Sequence, residues 1–142
     1  MKNEVSAAEW IPLRIIWTLQ RAYTNTIISY TQARTNWSES TIKTLLRRLE
    51  QKGFVISHHD GRKLVYVPAK DEQATMTAVA QQQLSNMCQK NRGQVILQLI
   101  KDNKLSQTDL LAIQAEVKQK LPAAPEQVPC DCLKERGIDH EC

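Results

Sequence analysis

Four residues near the C-terminus carry ligand chemistry at close spacing: Cys130, Cys132, His140 and Cys142, within CDCLKERGIDHEC. Cys-x-Cys followed by His-x-Cys brings three thiols and one imidazole into a 13-residue stretch. That donor set suits zinc in a tetrahedral site, and its sulfurs suit cuprous ion. The remaining cysteine, Cys88, falls in a helical stretch and reads as a small core or interface residue. The chain opens on Lys2 and EVSAAEW without an apolar signal region, and no apolar run approaches bilayer length. These features predict a cytoplasmic protein with no membrane partner. In that compartment thiols stay reduced, so the 4 Cys read as free, metal-binding or redox-active rather than as a disulfide frame.

A second set of residues is suited to nucleic acid. In WSESTIKTLLRRLEQKG, Trp37 to Gly53, the residues Ile42, Leu45, Leu46 and Leu49 recur at the spacing of one buried helical stripe. Ser40, Lys43, Thr44, Arg47 and Gln51 project roughly away from that stripe. This face combines hydroxyls, an amide and cations without a carboxylate. Such groups bond base edges and phosphates, and Arg takes guanine through two parallel bonds. Charge placement agrees. Residues 1–70 hold 11 Lys+Arg against 5 Asp+Glu, whereas residues 71–142 hold 8 against 10. No nucleophile–base–acid constellation or phosphate loop is present, which argues against an enzyme.

The elements that must position this face follow from local signals. Ser38 is suited to N-cap the Trp37–Gly53 helix, and Gly53 to close it in a left-handed conformation. Upstream, Ser6 and Glu9 form a capping box, and Ile11, Ile15, Ile16 and Leu19 predict a helix over about residues 7–21, its start adjustable by Pro12. A second helix is expected over 25–34, with Ile27, Ile28 and Tyr30 inward. Helices two and three then form a helix-turn-helix. Beyond Gly53, FVISHH and RKLVYVP flank the turn dipeptide Asp60-Gly61 and predict a β-hairpin carrying Arg62 and Lys63 at its tip. His58 and His59 alternate faces of a strand and read as wing surface. Three helices followed by a hairpin is a winged helix, so residues 1–70 form the DNA-binding domain of a mainly α chain.

From Asp71 the texture is helical again. Met76, Ala80, Leu84 and Met87 stripe a helix of about 18 residues; Val95, Ile96, Leu99 and Ile100 stripe a second. A third starts at a Ser106/Asp109 capping box, with Leu110, Ile113, Val117 and Leu121 along it. These helices hold too few apolar residues to close a core alone, so residues 71–121 are expected to dimerise. PAAPEQVP makes residues 122–142 a linker leading into the cysteine-containing, metal-sensing tail.

The runs EWIPLRIIWTL and WSESTIKTLLRRLEQKGFV with the following hairpin resemble the BlaI/MecI repressors of β-lactam resistance and their copper-responsive CopY relatives, over roughly residues 5–70. The resemblance implies a homodimeric winged-helix repressor on an inverted-repeat operator in double-stranded DNA. By position it makes Ser40, Thr41, Lys43, Thr44 and Arg47 recognition-helix contacts, and Arg62 and Lys63 wing contacts. A C-terminal cysteine cluster resembles the CopY branch, whose pattern is two Cys-x-Cys pairs separated by four residues. Here seven residues separate Cys132 from His140, and His140 stands where that pattern has cysteine. On this resemblance the chain represses copper-homeostasis genes and leaves its operator when cuprous ion binds Cys130, Cys132 and Cys142; zinc suits the mixed site, and a copper chaperone is a further partner. Three rivals stand beside it: a β-lactam-responsive repressor cut between residues 90 and 110, a thiol redox sensor using Cys130 and Cys132, and an enzyme or plain metal buffer.

Overall fold

The computed structural model describes residues 4–133. His140 and Cys142 lie outside the described residues. The described chain forms two compact units, divided between Ala80 and Gln81.

The N-terminal unit runs α1 (Trp10–Leu19), β1 (Ala22–Tyr23), α2 (Thr24–Gln32), α3 (Glu39–Gln51), β2 (Val55–Asp60) and β3 (Lys63–Pro68), then enters α4 (Glu72–Ser85). The Ser6/Glu9 box is present, with Ser6 N donating to Glu9 Oε2 at 3.0 Å and Glu9 N to Ser6 Oγ at 3.3 Å. It closes a turn rather than the first turn of the helix. The helix itself begins at Trp10, later than the expected residue 7, which puts Pro12 third in the helix, where its missing N–H leaves no bond unmade. α1 ends at Leu19, two residues short of expectation, because Gln20 turns into the left-handed region at φ 63°.

α2 spans Thr24–Gln32 instead of 25–34, and its inward stripe is Ile27, Ile28 and Thr31. Tyr30, expected inward, is 54% exposed. The reason is the 100° advance per residue: Thr31 lies one turn beyond Ile27 and Ile28, while Tyr30 is rotated off that stripe. α3 is capped as expected, Ser38 Oγ accepting from Thr41 N at 3.2 Å, and Gly53 takes φ 82° just beyond its end. The four apolar residues of its stripe are buried.

The wing is a hairpin in register from Val55↔Pro68 to Asp60↔Lys63. The turn residues are therefore Gly61 and Arg62, not Asp60-Gly61. Gly61 takes φ 64° while Arg62 keeps a negative φ, the arrangement of a type II′ turn. β1 adds a third antiparallel strand, giving the order β1-β3-β2. Leu13, Ile16, Ile27, Ile42, Leu46, Leu49, Phe54 and Val55 form the core beneath helices and sheet. A buried ion pair ties the recognition helix to the chain start: Lys52 Nζ lies 2.8 Å from the 1%-exposed Glu9 and also donates to Glu4 O at 2.8 Å.

The C-terminal unit holds a 3-10 turn (Gln89–Asn91), α5 (Arg92–Asp102), α6 (Gln107–Lys120) and a second 3-10 turn (Leu121–Ala123). α4 is 14 residues long, shorter than the expected 18, ending before Met87. Ser106 caps α6 as expected, accepting from Asp109 N at 3.0 Å. Neither α5 nor α6 buries a residue within the chain. No helix among the described residues is long and apolar enough to cross a membrane.

Candidate nucleic-acid interface and thiol cluster

Three elements of the N-terminal unit converge on one groove of 590 Å³: the start of α2 (Thr24, Asn25, Thr26), the outer face of α3 (Lys43, Arg47, Glu50) and the wing (Arg62, Lys63, Leu64, Tyr66). Four of the predicted DNA-contact residues, Lys43, Arg47, Arg62 and Lys63, thus line one depression. All four side chains are exposed. The opposing carboxylate, Glu50, is held by β2, where Ser57 N donates to its Oε1 at 3.0 Å. Tyr66 has a phenol raised above its ordinary value by burial and by Glu50, with Arg47 pulling the other way.

The hydroxyl residues of α3 are partly committed. Thr44 Oγ1 donates to Ser40 O at 2.9 Å, which leaves it as an acceptor. The hydroxyls of Ser40 and Thr41 lie 3.1 and 3.0 Å from Ser38 Oγ in the cap network. Lys43 faces Glu39 at 4.0 Å, a separation at the limit of an ion pair on an exposed face.

The wing base is braced. Asp60 Oδ2 accepts from Arg21 at 3.0 Å and from the Tyr23 hydroxyl at 2.5 Å. These bonds, Tyr23 first and Arg21 second, hold the Asp60 carboxyl below its ordinary value. The Tyr23 ring also faces the cations of Arg21 and Lys63, 5.3 and 5.1 Å from its centroid. Sequence reasoning missed Tyr23, Asn25 and Tyr66 as groove residues. The Thr24-Asn25-Thr26 run at a helix start was the available signal.

The second cluster lies in the C-terminal unit. The sulfurs of Cys88, Cys130 and Cys132 all fall within 4.8 Å of one another. Cys88 Sγ is 3.6 Å from Cys130 Sγ, and Cys132 N lies 3.4 Å from Cys130 Sγ. Cys88 is half-buried, so it is not the core residue expected, and it adjoins the tail cysteines. Burial opposes ionisation of Cys88, but hydrogen bonds from the backbone of Lys90, the Cys132 side chain and the backbone of Asp131 and Asn91 outweigh it and leave the thiol below its ordinary value. Cys132 is raised, first by its hydrogen bond to Cys88 and then by burial. Of the two thiols, Cys88 is therefore the more readily ionised. Cys130 is held in a disulfide, so ligation through its sulfur requires that bond reduced.

The donor set fits a thiophilic ion. Zinc–sulfur bonds of about 2.3 Å in a tetrahedron place sulfurs about 3.8 Å apart, close to the 3.6 Å between Cys88 and Cys130 and inside the 4.8 Å that bounds the cluster.

Residues 5–119 match the penicillinase repressor family. An uncharacterised 16.5 kDa protein from Latilactobacillus sakei is 37% identical over 131 residues, covering 92% of this chain and 90% of the relative. The methicillin resistance regulatory protein MecI of Mammaliicoccus sciuri is 29% identical over 107 residues, covering 75% of this chain and 87% of MecI. Among solved structures, monomeric Bacillus licheniformis BlaI in complex with the blaP half-operator is 37% identical, covers 49% of this chain and 85% of that one, and has a TM-score of 0.45. The chain belongs to the penicillinase repressor family, a family of DNA-binding transcriptional repressors.

Proposed function

We propose that this repressor governs copper-homeostasis genes and is released from a palindromic operator when cuprous ion binds its cysteine tail. The observation that carries the reading is the sulfur cluster of Cys88, Cys130 and Cys132, of which Cys130 and Cys132 lie beyond residue 119, where the family match ends.

In the resting state a homodimer presents two α3 helices, about one DNA turn apart, to the two half-sites. Arg47 and Lys43 face base edges while Arg62 and Lys63 take phosphates. Dimerisation follows from unpartnered apolar surface: Ile96, Leu99, Leu110, Leu111 and Val117 are 44–64% exposed, more than a stable helical segment leaves to water. Thiolates of the tail bind the ion, and the bound form favours a dimer whose half-site spacing is poorer. Release requires the ion to bind the off-DNA state more tightly, by a coupling of about 1–3 kcal/mol. Zinc, accepted by the same sulfurs, would occupy the resting state, and a copper chaperone would deliver the activating ion.

The test is operator binding by fluorescence anisotropy at fixed salt, titrated with anaerobic cuprous ion, for wild type and Cys130→Ser/Cys132→Ser. Release of wild type with retention of the double variant supports the reading. Equal behaviour of the two removes the tail as the switch. The similarity to MecI keeps one rival in view, a repressor inactivated by cleavage between residues 90 and 110. Its signature is fragmentation of the chain in cells after β-lactam exposure, with no response to copper.

A further inference from the structure

We propose that Cys88 is a metal ligand, the third sulfur of a site completed by Cys130 and Cys132, so that the sensor couples the tail to the turn between α4 and α5. This rests on the copper reading above and deepens it, because that reading needs only tail residues. The cysteines are 42 positions apart in sequence, so their adjacency is a property of the fold.

The tail segment is held on that turn by contacts that owe nothing to sulfur. Gln89 N donates to Asp131 Oδ1 at 3.0 Å, and Gln89 Nε2 donates to Pro129 O at 2.7 Å. Arg92, whose Nε donates to Met87 O at 3.1 Å, lies 3.8 Å from Asp131 Oδ2. Residues 129–132 are therefore docked on 87–92 by side chains flanking the cysteines on both strands of the contact. The docking sets three sulfurs at metal-bridging separation. The turn itself is fixed by Asn91 N donating to Cys88 O at 3.0 Å.

The three sulfurs that the described residues bring together match the trigonal preference of a soft monovalent ion such as cuprous ion. On binding, each thiol gives its proton to solvent and forms one sulfur–metal bond. Cys130 enters this chemistry only after an external phosphine reductant has cleaved its disulfide. Cys88 follows the end of α4 by three residues, so a bond at its sulfur acts directly on the joint between two helices of the regulatory half.

The test uses the full chain, reduced with phosphine and kept anaerobic, loaded with cuprous ion. X-ray absorption counts the sulfur neighbours, and competition with a chromophoric chelator gives affinity, for wild type, Cys88→Ser and Cys130→Ser/Cys132→Ser. Three sulfurs in wild type, one fewer in Cys88→Ser, and an affinity loss of about tenfold or more, at least what an outer-sphere partner costs, are expected. Alkylation of the wild-type protein provides a check that needs no variant: metal must protect Cys88 from iodoacetamide, read by mass spectrometry. If Cys88→Ser keeps wild-type affinity and sulfur count, or Cys88 stays reactive in the loaded protein, the assignment of Cys88 is overturned. The tail reading survives that result provided the double variant loses the metal. If the double variant binds as wild type does, both fall.

Discussion

Removing the wing cations should change the salt dependence of operator binding, whereas removing Arg47 should change sequence preference. Arg62 sits in the hairpin turn and Lys63 begins β3, both exposed at the rim of the groove that α3 lines. Asp60, the nearest wing carboxylate in sequence, is engaged by Arg21 and Tyr23, which leaves the wing tip strongly positive. Each phosphate contact contributes about 0.9 to the slope of log K against log salt. The pair Arg62→Ala/Lys63→Ala should therefore lower the slope by about 1.8 per protomer, or about 3.6 for a dimer on two half-sites. Between about 50 and 200 mM salt, that difference closes the affinity gap between wild type and variant by roughly 150-fold. Arg47→Ala should leave the slope within about one unit of wild type per protomer while costing about 1–3 kcal/mol per half-site on the specific sequence alone. Anisotropy titrations over a salt series, on an operator that the protein selects from randomised duplexes and on unrelated DNA, measure both quantities. An unchanged slope in the wing variant would refute phosphate contact by the wing. Equal losses on specific and unrelated DNA for Arg47→Ala would refute base readout at that position.

The remaining predictions concern the scaffold. Lys52→Met leaves the Glu9 carboxylate buried without its cation; breaking a buried pair costs about 3–5 kcal/mol, and because Lys52 is partly exposed the lower end applies, giving a fall in Tm of roughly 10–20 °C by calorimetry, largely recovered in Glu9→Gln/Lys52→Met. Asp60, whose folded-state carboxyl is depressed, adds stability above its ordinary value of 3.8 and loses it as pH falls through the folded value, so the Tm gap between wild type and Asp60→Asn should narrow from about pH 7 to about pH 3 in thermal melts; a constant gap would show that the Tyr23 and Arg21 bonds do not stabilise the wing.

What the sequence made legible and what it concealed differ in range. The α3 cap at Ser38, its apolar stripe, the closing Gly53 and the hairpin are each decided within one or two turns of chain, where periodicity and cap chemistry act. The two-residue β1 is too short for any period; it exists because Ala22 and Tyr23 find Tyr66 and Val65 of β3 across the sheet. The same distinction separates the two halves of the ion pair at the base of α3. Glu9 was readable as a capping-box residue, yet its joining to Lys52 across 43 positions was not. In the groove, the cations were readable because one helix face and one turn carry them, while the α2 start that completes it was not.

The thiol cluster extends this reasoning to function. A search by spacing ties Cys130 to Cys132 and, through them, to His140 and Cys142, because ligands close in sequence meet without any contribution from the fold. Cys88 offers no such spacing. Its position is set by the 3-10 turn that Asn91 closes and by the grip of Gln89 and Arg92 on Asp131. A site made only of the tail would reach the helices through the Gln89 and Arg92 contacts alone. A site that includes Cys88 adds a bond at the joint itself: the free energy of its third sulfur bond depends on the geometry of the α4–α5 turn. Reciprocity then requires that any state of the chain favouring that geometry would also tighten an ion bound there.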